Sequence, residues 1–185
     1  MTMKSPITKR ACIDIRETAR SHPSIATQML VIHALSGCDT VAATHGIGKT
    51  TAVTSFKKGR SLDKLGVVDA YMNTVMVQAT AFMVTCYGIK THVSSMTECR
   101  QHIWGQRVGK STIAPKLSTL PSTTEAYEMN VLRAHLQVAN WYAALSGESV
   151  TLNPENYGYE RDNINRIMTP RHLPPGVQYA PDSPY

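Results

Sequence analysis

Apolar residues recur along this chain at the spacing of three and four residues that is typical of amphipathic helices. The pattern predicts helices over residues 25–35, 49–58, 65–87, 97–104 and 125–145. Only residues 12–15 alternate apolar and polar positions clearly enough to predict a short strand. The fold class that follows is mainly α.

Each predicted helix has an apolar side that we expect to face the core. For residues 25–35, Ser24 is the expected N-cap and the inward positions are Ala26, Met29, Leu30, His33 and Ala34. For residues 49–58 they are Ala52, Val53 and Phe56. For residues 65–87 they are Val68, Met72, Val75, Ala79, Phe82 and Cys86. The last helix starts with a capping threonine, Thr123 or Thr124, followed by acidic residues in its first turn.

The length of 185 residues and the apolar content of 42% favour one domain with a real core. We expect a loose basic arm over residues 1–11, the domain over residues 12–150, and a Pro/Tyr-rich tail over residues 151–185. The tail is expected to be extended or partly disordered.

Residues 70–89 carry no charge and reach the length of a membrane span. Asn73 and Gln78 interrupt them, and the apolar positions are helically spaced, so a buried helix is favoured and no membrane partner is expected. The four cysteines lie far apart and suit reduced thiols, with Cys86 a small core residue. An intracellular protein is expected, in the nucleus or the cytoplasm.

The formal net charge of +6 favours an anionic partner. Gly46 and Gly48, one residue apart before a predicted helix, let an anion approach the backbone closely. Two interpretations compete for the sequence from Gly46 to Thr50. In a P-loop, Lys49 would reach the β- and γ-phosphates of a nucleotide and Thr50 would bind magnesium. That interpretation requires a buried strand that runs directly into the loop.

The second interpretation is a clamp on a nucleic-acid backbone. Amides near Gly46 and Gly48, with the start of the helix at Lys49 and Thr50, would hold one phosphate. Further positive charge along the strand would come from Lys49, Lys57, Lys58 and Arg60. Such contacts position a duplex without reading its sequence.

One motif carries a family resemblance. The sequence Leu35-Ser-Gly-Cys-Asp39, followed after a gap by Gly46-Ile-Gly48-Lys49 and Ala52, resembles the helix–three-turn–helix element of flap-endonuclease-like nucleases of the PIN-like superfamily. The element would occupy residues 25–58. In addition, His33-Ala-Leu-Ser-Gly-Cys-Asp-Thr40 and the region from Leu120 to Trp141 resemble the C-terminal half of transposon-associated animal proteins with that domain. The resemblance covers most of residues 12–170.

The resemblance implies a partial PIN-like (α/β) nuclease domain that lacks most of its parallel sheet. It also implies that Gly46, Gly48 and Lys49 bind duplex DNA and that Asp39 is a metal ligand. Nuclease chemistry of this kind needs several carboxylates that hold magnesium or manganese. Before Asp39 the chain has only Asp14 and Glu17, which match the lead-in to the domain.

Four hypotheses follow. The first is a fragment that binds the duplex DNA backbone without sequence specificity and does not cleave by itself. The second is a magnesium-dependent structure-specific endonuclease, completed by acids from a partner chain or a longer gene product. The third is a P-loop nucleotide-binding protein, and the fourth is an inert fragment.

Simpler roles remain open for individual residues. Asp39 can serve a turn, Gly46 and Gly48 can permit a tight loop, and His33 is expected to be a core residue.

Overall fold

The structure is a computed structural model that describes residues 2–3, 13–110, 114–150, 152–162, 164 and 167–171. Within these ranges the chain is mainly helical, as predicted. The α-helices are α1 (Ile15–Ser21), α2 (Pro23–Ala26), α3 (Met29–Leu35), α4 (Lys49–Phe56), α5 (Met72–Cys86), α6 (Met96–Arg107) and α7 (Thr124–Ser146). The strands are β1 (Thr2–Met3), β2 (Ile13–Asp14), β3 (Tyr159–Asp162) and β4 (Ile167–Pro170), and 3₁₀ helices cover Leu117–Thr119 and Pro154–Tyr157.

Helices α5 and α7 form the centre of the core. The long helix α7 packs against α3, α5 and α6, while α5 also contacts α4 and α6. The hydroxyl of Tyr127 on α7 donates to the carbonyl oxygen of Ala79 on α5 over 2.7 Å, in a fully buried position. Around this bond lie Val75, Phe82 and Val131, each inaccessible to solvent. Among the described helices, none combines the length and the apolar character that a membrane span requires.

Helix α7 begins and ends as its sequence predicts. The Thr123 side chain accepts a hydrogen bond from the amide of Ala126, and Glu125 lies in the first turn, where an acid is favourable. Gly147 ends the helix in the left-handed conformation, with φ at 75°. The buried position of Cys86 is also confirmed.

The prediction of a helix from residue 65 is wrong at its start, because α5 begins at Met72 and residues 63–70 form turns. Gly66 has φ at 86°, which is incompatible with a right-handed helix, and its amide donates to Nδ1 of His135 over 3.2 Å. Val68, which was expected to face inward, is 47% exposed. A contact with distant α7 therefore decides where α5 begins.

The prediction of one helix over residues 25–35 is also wrong. Pro23 starts α2, so Ser24 is inside this helix rather than its cap, and residues 27–28 separate α2 from α3. Of the expected inward face, Ala34 is buried, Leu30 is half-buried, and Ala26, Met29 and His33 are exposed. The buried positions are Ile25, Val31, Ile32, Ala34 and Leu35, because the break at residues 27–28 changes the face that α3 presents to the core.

His33 is not a core residue: its ring stacks on Trp141 at the surface, with 5.8 Å between ring centroids.

Two further elements differ from their predictions. The predicted strand 12–15 is reduced to β2, because the Asp14 carboxylate accepts from the amides of Arg16 and Glu17 and so starts α1. The described part of the tail contains an element that the sequence did not predict: β3 and β4 form an antiparallel hairpin. Arg133 on α7 holds this hairpin, since its guanidinium donates to the carbonyl oxygens of Gly158 and Arg171. Cys12 and most of the 1–11 arm lie outside the described residues.

Candidate nucleic-acid interface

The loop of residues 36–48 joins α3 to α4 and is anchored in the core. Cys38 and Val41 exchange two backbone hydrogen bonds across a tight turn. The side chains of Val41 and Ile47 are buried, with 2% and 6% exposure. Gly37 has φ at 102°, and a Cβ there would lie 2.5 Å from the Cα of Ala43, so only glycine fits this close approach. The loop therefore has a defined shape.

Gly46 and Gly48 lie on either side of the buried Ile47, and both are exposed. A Cβ at either position would meet no atom within 4 Å, so the space in front of them is open. Gly46 needs its left-handed φ of 76°, whereas Gly48 has an ordinary φ of −86° and acts as the N-cap of α4. The glycines that the sequence singled out are thus brought together at an exposed helix start.

The start of α4 has no side-chain cap. The first backbone bond of the helix runs from the amide of Ala52 to the carbonyl of Gly48. Within the described part of the chain, the amides of Lys49, Thr50 and Thr51 have no acceptor. These free N–H groups and the positive end of the helix dipole create a favourable environment for an anion.

The ammonium of Lys49, which both interpretations direct to a phosphate, is bound by protein acceptors in this structure. It donates to the carbonyl oxygen of His33 over 2.7 Å, to Oγ of Ser36 over 2.9 Å and to the carbonyl oxygen of Gly37. Partial burial lowers its pKa. An ammonium has three donors, so none remains for a phosphate. Lys49 instead satisfies the C-terminal carbonyls of α3 and ties them to the start of α4.

The other predicted cations are placed differently. Thr50 is exposed at the start of α4, and Lys57 and Lys58 are exposed at its end. Arg60 donates through Nε to Oγ1 of Thr85 over 2.9 Å, which fixes its guanidinium against α5.

A groove of about 760 Å³ continues from the end of α4 along residues 84–94. Its basic residues are Lys58, Arg60, Lys90 and His92, and no aspartate or glutamate from the described ranges lines it. We call it the basic groove. Sequence reasoning missed Lys90 and His92, because nothing in a Gly-Ile-Lys-Thr-His segment shows that it will lie beside the end of α4.

Asp39 lies at the exposed corner of the Cys38–Val41 turn. The described residues contain no group of three His, Cys, Asp or Glu side chains that could hold a metal ion. A lone exposed carboxylate does not fit a magnesium site of the kind that nuclease chemistry needs. The position of Asp39 agrees with its simpler role as a turn residue.

The local structure does not provide the context of a P-loop. The segment that precedes the loop is α3, a helix, and the strands of the described residues form two antiparallel pairs. In a P-loop a buried strand would run into the glycines and the lysine would face the phosphates. Here neither condition is met within the described residues.

Comparisons of the chain with protein-family models, with curated proteins and with solved structures found no match.

Proposed function

We propose that this chain binds the phosphate backbone of duplex nucleic acid without reading its base sequence. The element responsible is α3, the loop 36–48 and α4, used as the helix–three-turn–helix of a partial PIN-like nuclease domain. The observation that carries the proposal is the uncapped start of α4, where the amides of Lys49, Thr50 and Thr51 have no acceptor among the described residues and the neighbouring Gly46 and Gly48 are exposed. Helix starts of this kind bind phosphate through backbone N–H groups and the helix dipole.

The charge distribution around α4 supports the same ligand. No aspartate or glutamate occurs between Asp39 and Asp63, whereas Lys57, Lys58 and Arg60 follow α4. Ten residues of helix span ~15 Å, so these cations lie roughly that far from Gly48. One phosphate at the helix start and others at the basic groove would engage neighbouring parts of a polyanion.

The fixed shape of the loop lowers the entropic cost of binding a phosphate. Ile47 is held in the core between the two glycines, and Lys49 joins α4 to the end of α3. The amides therefore have their orientation before a ligand arrives, and little conformational entropy is lost when it binds. Contacts made by amides and exposed lysines go to phosphates and carry no sequence information.

A binding titration tests the proposal. The wild-type chain should bind two fluorescent duplexes of unrelated sequence with similar affinity. With three cations near the phosphates, log Kd should change with log salt with a slope of about 2.7, so affinity falls about 40-fold between roughly 50 and 200 mM KCl. Salt-insensitive or absent binding would contradict the proposal.

The matched variants are Gly48→Glu and Gly48→Ala. Both side chains enter open space at an ordinary φ, so both chains should fold. The glutamate places a carboxylate where the phosphate is proposed to sit and should weaken binding at least tenfold, while alanine leaves most of the affinity. Equal affinities of the two variants would exclude the start of α4 as the contact. Lys57→Gln together with Lys58→Gln should reduce the salt slope by about 2.

A further inference from the structure

A second surface, next to loop residues 42–45, has the features of a ligand site. A cleft of about 330 Å³ lies between loop residues 42–45, the segment 117–122, helix α7 and the end of β4. Three arginines line it, Arg100, Arg133 and Arg171, and we call it the arginine cleft. The arginine cleft does not include Gly46, Gly48 or any residue of α4.

Arg100 is the most unusual of the three, because its side chain is buried, with only 6% exposure. Its guanidinium donates to the carbonyl oxygens of Pro121 and Leu117, over 2.5 and 3.4 Å. No carboxylate among the described residues pairs with it. A buried charge without a counter-ion is costly, and the loss of solvation lowers the pKa of Arg100.

Arg133 and Arg171 are also held by backbone carbonyls. Arg133 donates to Gly158 and to Arg171, over 3.0 and 2.7 Å. The guanidinium of Arg171 donates to Glu155 and Tyr159, over 3.1 and 3.4 Å. A guanidinium has five N–H donors in a rigid fork, so each arginine is fixed in place yet keeps donors to spare.

The rest of the lining favours an anion. Among the residues that the structure describes, no aspartate or glutamate lines the cleft, and its other polar residues include His45, Asn130 and Ser122. The hydroxyl oxygen of Ser122 is buried and has no hydrogen-bond partner within the described part of the chain. Buried polar atoms in proteins are nearly always paired, so this hydroxyl is available to form a hydrogen bond with a ligand in the cleft.

The size and charge of the cleft narrow the ligand class. Its volume lies at the lower end of the range for small-molecule sites, which suits a molecule no larger than a mononucleotide. Three positively charged guanidinium groups are best matched by a ligand that carries more than one negative charge. A phosphomonoester carries about −1.5 to −2 at pH 7 with three acceptor oxygens, whereas a carboxylate has a single charge and two oxygens.

We propose that the arginine cleft binds a small phosphomonoester, with the guanidiniums of Arg100, Arg133 and Arg171 around the phosphate and Ser122 as an additional hydrogen-bonding group.

Calorimetric titration of the full chain with adenosine monophosphate tests the proposal, in buffer free of phosphate. Adenosine monophosphate should bind, and adenosine, which lacks the phosphate, should not bind measurably. Inorganic phosphate should compete with the nucleotide. Absence of nucleotide binding at millimolar concentration, or equal binding of adenosine, would overturn the proposal.

Exposed His45 on the rim provides the matched variants. His45→Glu introduces a carboxylate beside the guanidiniums and should weaken nucleotide binding at least tenfold, while His45→Gln should bind within about threefold of the wild type. Arg171→Gln should also weaken binding at least tenfold, and circular dichroism would check that the hairpin is retained. Unchanged affinity in both His45→Glu and Arg171→Gln would overturn the proposal.

Gly48→Glu, which removes duplex binding if the proposed function holds, should leave nucleotide binding unchanged, so the two proposals fail independently.

Discussion

The ammonium nitrogen of Lys49 lies 2.7 Å from the carbonyl oxygen of His33, so the first residue of α4 is bound to the end of α3. Two more acceptors, on Ser36 and Gly37, complete its hydrogen bonding. Lys49 is therefore a stabilising link between the two helices of the proposed phosphate-binding element. The free amides beside it are left as the groups that can meet a ligand.

Replacing Lys49 by methionine should destabilise the protein by about 1–2 kcal/mol, because charge-assisted hydrogen bonds to the end of α3 are lost at a partly exposed site. For a domain of this size the melting temperature should fall by about 2–8 °C. Calorimetry or urea unfolding measures the change. Lys58→Met, at an exposed position, should stay within about 0.5 kcal/mol of the wild type. A Lys49→Met chain as stable as the wild type would show that this link is not made in solution.

Gly66→Ala should cost roughly 3–5 kcal/mol of stability, from a left-handed backbone together with overpacking. The added Cβ would lie 2.3 Å from Cγ1 of Val138 on α7. Gly147→Ala is the matched control: its φ of 75° is also left-handed, but no atom lies within 4 Å. It should cost only about 1–2 kcal/mol.

A double variant isolates the steric part of the cost at Gly66. Val138→Ala removes Cγ1, the nearest atom, and leaves the Cβ of residue 138 at 2.9 Å. Gly66→Ala should therefore be less damaging in that background, by about 1 kcal/mol. Strictly additive losses would contradict the close approach of residues 66 and 138.

Stability should also depend on the protonation of His135. Burial lowers the pKa of this imidazole below its ordinary 6.5, and its Nδ1 must stay unprotonated to accept the amide of Gly66. The unfolded chain therefore takes up a proton as the pH falls below 6.5 and the folded chain resists it. The contribution of His135 is fully present above pH 6.5 and decreases as the pH falls toward its folded pKa.

Urea unfolding at neutral and mildly acidic pH would detect this dependence. His135→Asn keeps a side-chain acceptor but does not titrate, so its stability should fall less on acidification. Identical pH profiles of the wild type and His135→Asn would show that this imidazole is not the titrating group.

Sequence reasoning succeeded where local signals decide structure and missed what depends on distant contacts. Helix α7 has a capping threonine, an acidic first turn and a terminal glycine, all visible in the sequence. The start of α5 could not be predicted, because it depends on the packing of Gly66 against Val138, 72 residues away in the chain. The misplaced face of α3 has a local cause, the break at residues 27–28.

The candidate interface also combines features that are visible in the sequence with features that depend on distant contacts. The paired glycines and the cations after α4 were visible as a pattern, and they lie exposed as that pattern required. The partners of Lys49 are mainly backbone carbonyls, which have no residue signature. The arginine cleft joins residues from five separate segments, so only the folded chain reveals it.

The central claim is that free amides at the start of α4 contact a nucleic-acid backbone. Amide NMR spectra of the labelled chain, recorded during titration with a short DNA duplex, test it most directly. The account predicts that the largest shifts occur at Gly46, Gly48, Lys49 and Thr50, with smaller shifts along the basic groove, and that all reverse on addition of salt. A saturable complex that leaves the amides of residues 46–51 unshifted would contradict it.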